Sequence, residues 1–410
     1  MDQTIRPANV AVLFKLETTE GVDASPSPTA DAIPVEADSI EYNSPWTQEQ
    51  SNEATGSLVA GAPLIIGQAA TISFRSRRKG AGAGVTYSST VKPPLHQVYQ
   101  ACGKRGLFTA AIAAALATAG GATSVTLPAS FPATAKALMG MPLVIGAGVG
   151  VGRIPHVIDY TAGRVATLSE NFSTPLDATT SISLPANWTY AGTSPRDAAA
   201  RATDHPSGTI YIYEDGTLLK FVGCRGVMTG DGQSARPGYD AFQFTGVYAG
   251  KTDTALPSNL VVANHSAPVL VQGSEISPAV LLNRKPLPIS TWSWENGGDI
   301  EVPEDPNTSY GFGPGVIAGR VPLLRLDPLA TLVAVRDSIA DIGAGLEMSA
   351  VLRAGSVAGN RWSQVHPLAQ KVEAAPGRRG NLRSEQLVLQ AKSAGLDAQT
   401  RDSESILAFY

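Results

Sequence analysis

The sequence predicts a mainly β protein, and three observations carry that reading. Short alternating or β-branched runs recur along the whole 410-residue chain. Turn-formers separate them: there are 41 glycines and 29 prolines, well above a usual combined share of about 12 %. Residues 209–226, TIYIYEDGTLLKFVGCRG, read as a hairpin around Asp215-Gly216. A type I′ turn demands such a pair because both central residues need positive φ.

The remaining elements follow in order. Residues 9–17 are apolar and β-permissive, giving the first strand. Residues 23–34, rich in Pro, Ser and Ala, read as an extended arm without a core pattern. Residues 68–76 (QAATISFRS) alternate as a strand and run into a basic glycine-rich loop, 77–84. The stretch 75–84 and the arm 23–34 are long for idle loops, so both are expected to be mobile until neighbours cover them. Pro93 and Pro94 open a short helix over 95–101. Its residues Leu95, Val98, Tyr99 and Cys102 share one face, and Gly103 ends it.

Residues 239–248 give another strand, broken at 253–257. Residues 289–294 are strand-like, Gly297-Gly298 turns into 299–302, and 303–314 form a polar loop. After an extended segment over 316–326, Asp327-Pro328 predicts a second helix over 329–342. Leu329, Leu332, Val333, Val335 and Ile339 would be its apolar stripe. Segments 346–353, 361–372, 381–389 and 405–410 are the closing strands. The apolar final residues, ILAFY, predict a docked C-terminus.

A chain of this length predicts two domains, or one carrying an insertion. The shift in character falls at 104–187, where an alanine-rich run gives way to short strands at 141–145, 153–160, 165–168 and 182–184. The organisation expected is therefore a discontinuous domain, 1–103 and 188–410, with 104–187 inserted as a small β module. The most uniformly apolar stretch, 108–119, is too short for a bilayer, which takes about 20 residues. With no secretory pattern at the N-terminus, the expectation is a soluble protein made in a cytoplasm.

Charged residues are only 16 %, against roughly 25 % in typical soluble domains. A large surface so poorly charged predicts cover by neighbouring subunits. A net charge of −4 gives no basic footprint for phosphate binding. Cys102 and Cys224 stand far apart in no metal-ligand spacing, so both are expected as reduced, packed thiols.

No catalytic, cofactor-binding or metal-ligating set emerges, and the chain is not expected to be an enzyme. Gly146, Gly148, Gly150 and Gly152 miss the dinucleotide spacing and precede a strand, so they read as a turn or bulge. His96, His156, His205, His265 and His366 are scattered singly. Asp299, Glu301, Glu304 and Asp305 cluster in a proline-containing loop; paired carboxylates serve glycan hydrolysis, but a solvated surface is the simpler reading. Arg75, Arg77, Arg78 and Lys79 form the one dense basic run, a candidate nucleic-acid contact weighed against a subunit interface or plain solvation. Trp292 and Trp294 are candidates for a sugar-stacking platform, weighed against core packing.

Five stretches in order resemble the tail tube (major tail) protein family of siphophages. They are VAVLFKLETTEGVDASPSPTADAIPV (10–35), YQACG (99–103), FVGCRG with FQFTGVYAGKTDTALP (221–226, 242–257), GVIAGRVPLLRLDPLATL (315–332) and AGNRW (358–362). The segment 140–187 resembles a small β module that decorates phage virion proteins. The resemblance implies two packed antiparallel sheets with a flanking short helix, assembled as homo-hexameric rings stacked into a DNA conduit. It further implies tape measure, tail terminator and distal tail proteins as partners, genomic DNA in transit, no membrane and no cofactor, and a place in the virion tail. The competing class is a carbohydrate-binding β-sandwich on the virion surface or tail tip.

Overall fold

The computed structural model describes residues 4–262, 269–274 and 276–410. The main body is built from β1 (Val10–Leu16), β2 (Ala70–Arg77), β3 (Lys104–Thr109), β4 (Asn187–Gly192), β5 (Gly208–Glu214), β6 (Thr217–Gln233), β7 (Gly238–Asp253), β8 (Thr291–Glu295), β9 (Leu323–Leu326), β10 (Glu347–Ala354), β11 (Trp362–Arg379), β12 (Leu382–Ala391) and β13 (Ile406–Phe409). Shorter strands lie at its margins, and the pairings are antiparallel.

One layer runs β1-β5-β6-β7-β2. Another runs β10-β11-β13-β4-β3. They are joined rather than separate, because two strands of 17 and 18 residues fork. β6 keeps β7 along one edge while its other edge passes from β5 to β8. β11 keeps β10 on one edge while the other passes from β13 to β12. β8 and β9 close the gap between β6 and β12. Strands three times the common length of about 5–6 residues cannot stay in one flat layer under normal twist. Register shifts in both of them mark the bends.

Most of the sequence expectations find their element. The hairpin turn has positive φ at Asp215 and Gly216, with Glu214 opposite Thr217. The short helix α1 (His96–Ala101) buries Val98 and Tyr99, with Leu95 and Cys102 buried beside it. Its Tyr99 ring meets Tyr190 and Phe409 of one layer and Phe242 of the other. The helix thus sits where the layers share one core. Residues 405–410 are wholly buried, as the docked C-terminus required.

The second helix does not form over 329–342. Asp327 instead accepts the Ser290 and Thr291 amides at 2.8 and 2.7 Å, so its carboxylate closes a loop rather than capping a helix. Only Ser338–Gly343 is helical, capped by Asp337, which accepts the Ala340 amide at 2.9 Å. The expected stripe is largely bare: Leu332 is 79 % exposed and Ile339 78 %.

Within the segment 104–187, residues 110–186 form small sheets with a core of their own, and the flanking residues do not. Lys104–Thr109 and Asn187–Gly192 belong to the main body as β3 and β4, and Thr109 lies directly opposite Asn187. The module proper is 110–186, its two ends one strand spacing apart. Its sheets, Ile112–Leu116 with Ser181–Leu184 and Val144–Ala147, and Ala119–Gly120 with Ser124–Thr126, Val165–Leu168 and Val157–Tyr160, enclose a core of their own around Phe131, Leu143, Leu168 and Ile182. It also packs on the body: Ile158 joins Leu281, Val351 and Val365 in a small cluster. Arg353 of the body reaches Glu170 of the module at 2.8 Å.

The arm 23–34 is not patternless. Its end, Asp31 to Ile33, is buried and pairs with Val12 and Leu13. The chain then crosses to the far edge of the same layer, where Glu36, Ser39, Glu41 and Asn43 satisfy main-chain groups of β2. One excursion therefore seals both edges of that layer, which would otherwise present unpaired strand groups.

Candidate functional site

The residues flagged for chemistry are mostly structural. Trp292 and Trp294 are buried at 2 % each. Trp292 packs on Trp362 and Trp294 on His366, so they form no sugar platform. Arg78, the centre of the basic run, is fully buried. Its guanidinium holds Asp240 through contacts of 2.5 to 3.1 Å, donates to Gln364 at 2.8 Å, and lies against both the Trp292 and Trp362 rings. Tyr99 donates to the same Asp240 at 2.8 Å. A buried charge is tolerated only when paired in this way.

The rest of that run is also engaged. Arg75 pairs with Asp231 at 2.8 Å, and Arg77 with Glu36 at 3.0 Å. The following loop is packed rather than free: Ala81 donates its amide to Tyr87, and Gly84 to the Ala358 carbonyl. Arg78 is thus packed inside and not solvated, and the loop that was expected to await a neighbour has contacts within its own chain.

His96, His156, His205 and His366 are buried apart from one another, and His265 lies outside the described residues. Burial pulls His96 down to about 4 and His366 to about 3. His96 holds the Tyr190 hydroxyl at 2.7 Å, and His366 lies against the Glu404 carbonyl at 3.2 Å. Burial also pulls the Lys104 amine down to about 8. Cys102 and Cys224 are free and buried, their thiols pushed up by desolvation and so unreactive. Gly148, Gly150 and Gly152 form turns, not a phosphate cradle. Asp299, Glu301 and Glu304 are solvated, while Asp305 accepts the Asn307 amide at 2.9 Å.

Among the described residues no three His, Cys, Asp or Glu side chains stand close enough to hold a metal. No helix there is long and apolar enough to cross a membrane. A cleft of about 720 Å³ is lined by Thr193, Ser194, His205, Arg320, Asp402 and Glu404. Arg320 is tied to both acids, and Ser194 donates to Asp402 at 2.7 Å.

What the fold does bring together is the set of residues in two of the sequence motifs. Glu17 accepts from the Gly21 and Gly223 amides, each at 2.7 Å, and from Ser207 and Thr209 at 2.6 and 3.0 Å. Glu20 pairs with Arg225 at 2.7 Å, and Asp23 accepts from Tyr211 at 2.5 Å. The acids of ETTEGVD therefore clamp the arm onto the FVGCRG turn of β6.

Among the described residues, two apolar surfaces stand without cover, and neither was read from the sequence. The first is a hairpin arm at 44–67, whose strands Trp46–Glu49 and Leu64–Gly67 pair only with each other among those residues. Trp46, Leu58, Val59, Leu64 and Ile65 are exposed on it. Its footing is narrow: Trp46 meets Tyr310 edge-on at 5.1 Å, and Gly67 lies against the Tyr310 backbone. The second surface is Leu332, Val333, Val335 and Ile339, on a segment that bridges to the β11–β12 hairpin, where Leu382 is also exposed. Segment 328–341 is fixed there by Arg336 and Ser338 on Glu385 and by Lys371 on Asp341. Alternation and turn signals are weak in 44–67, and the Asp-Pro at 327 mimicked a helix start, which is why both escaped.

No protein-family model matches the chain, and no curated protein matches it.

Proposed function

We propose that this protein is the structural subunit of a bacteriophage tail tube, self-assembling as stacked, hexameric rings into a conduit for DNA ejection. The observation that carries the reading is the pair of uncovered apolar surfaces on a chain with only 16 % charged residues. A two-stranded hairpin is marginal in water by itself. An arm of that kind bearing exposed Trp, Leu and Ile is stabilised by a neighbour, not by solvent. The antiparallel body and the motif acids clamped on the β5–β6 hairpin agree with the family resemblance.

In this reading the partners are further copies of the chain, the tape measure, tail terminator and distal tail proteins, and genomic DNA in transit. The place is the virion tail, after synthesis in the host cytoplasm. The subunit acts without turnover, cofactor or metal. A weakly acidic subunit suits a channel through which phosphates must slide, since repeated positive charge would trap them. The carbohydrate-binding alternative loses its support once Trp292 and Trp294 are buried.

Negative-stain microscopy and sedimentation over a rising concentration series test the proposal. Rings or tubes with an open lumen are the expected result. A monodisperse monomer at every concentration overturns it.

A further inference from the structure

The two uncovered surfaces lie toward opposite ends of β6, and the arm is acidic where the tip beside the second surface is basic. The arm 44–67 leaves the body beside Ala70, which pairs with Gly246, midway along β7 and level with the β6 bulge at Gly223, on the side that leads to the start of β6. The β11–β12 tip lies past the other end. Gly232, Trp292, Leu326 and Leu387 are successive partners across the strands, and the hairpin continues beyond Leu387 to its turn. From the bulge at Gly223 to Gly232 the β6 strand covers roughly 30 Å at about 3.3 Å per residue.

At the tip, Arg378 and Arg383 are direct cross-strand partners, both exposed. Neither has an acidic partner among the described residues, whereas the neighbouring Arg379 is paired with Asp327. Like charges directly opposite each other destabilise a ladder. This pair therefore calls for an anion from outside the chain. Residues 43–74, which contain the arm, hold Glu49 and Glu53 and no lysine or arginine.

We infer that the acidic, apolar arm of one copy seats on the Leu332–Ile339 face and the Arg378/Arg383 tip of a second copy, head to tail. This rests on the assembly proposed above and names its contact. Each copy keeps a free arm at one end and a free seat at the other, so the contact propagates instead of closing as a two-fold dimer. The occupant is a second copy of this chain because that chain supplies both the apolar surface and the missing counter-charge.

The test is disulfide trapping in the full chain. Cys102 and Cys224 are buried, so they do not compete with new surface thiols. The double variant Ile65→Cys, Leu332→Cys, oxidised above the assembly concentration, is expected to give a ladder of covalent oligomers. Each single variant gives at most dimers. In parallel, R378E/R383E is expected to raise the concentration needed for assembly ~10-fold or more, with recovery on mixing with E49K/E53K. Wild-type tubes without a ladder, and with R378E/R383E assembling normally, overturn the inference while leaving the tube reading standing. A ladder from particles that never form rings or tubes supports the contact and overturns the tube. No ladder and no assembly overturn both.

Discussion

The Glu17 carboxylate accepts the Gly223 amide at 2.7 Å across 206 residues of sequence. Gly223 has φ +63°, at a register shift in β6, and a Cβ there would stand 2.9 Å from Pro314. The acid and the bulge are thus one device: the bulge turns an amide out of the ladder, and the acid receives it.

Removing the acid strands its donors. Glu17→Leu is expected to cost about 2–4 kcal/mol, because several buried donors lose their acceptor together. Gly223→Ala should cost about 1–3 kcal/mol through left-handed strain and the Pro314 contact. Urea midpoints followed by circular dichroism check both, and unchanged midpoints would refute the coupling.

Among the described residues, Asp240 is the one carboxylate paired with the buried Arg78 guanidinium. Asp240→Ala leaves that charge uncompensated, at a cost of about 3–5 kcal/mol. The double change Arg78→Met, Asp240→Leu should be milder than Asp240→Ala alone, since no charge then remains buried. Thermal melting of the three proteins decides it, and the reverse ranking would mean that water reaches the site.

The module 110–186 can be excised between Thr109 and Asn187, which already face each other. With a short Gly-Ser turn in its place, the body should fold and assemble. It should melt at lower temperature, because Leu281, Val351 and Val365 become bare and Arg353 loses Glu170. Recovery of only insoluble or unfolded protein would show that the module is integral rather than inserted.

Acid should weaken the fold through its buried histidines. His96 and His366 have folded values near 4 and 3, below the ordinary 6.5, so the unfolded chain binds more protons. The stability they confer is complete above pH 6.5 and is lost as pH falls from there toward 4. His96 alone accounts for roughly 1–3 kcal/mol across that window. The melting temperature should fall between pH 7 and 5, and less steeply in His366→Gln. A flat profile over that range would contradict the burial of these rings.

Much of the body was legible because its signals are local. Asp215-Gly216, the alternation of β2 and the Leu95/Val98/Tyr99 face each state their geometry within a few residues. The failures share one cause, which is that tertiary partners outbid local preference. Asp327 had the makings of a helix cap, yet the Ser290 and Thr291 amides claimed it. Arg78 read as surface charge until Asp240, 162 residues away, drew it inside. The uncovered surfaces were the least legible, because exposure depends on where every other segment packs, which no local pattern states.

The forked strands carry a mechanical consequence. β6 leaves the first layer to pair with β8, and β11 leaves the second to pair with β12, so the layers are tied in series through the β6–β8, β8–β9, β9–β12 and β12–β11 ladders. A pull on one layer reaches the other through main-chain hydrogen bonds as well as through packed side chains. Parting the layers along this route requires breaking only one ladder of the series, and the β8–β9 and β9–β12 ladders are the shortest, with four residue pairs each.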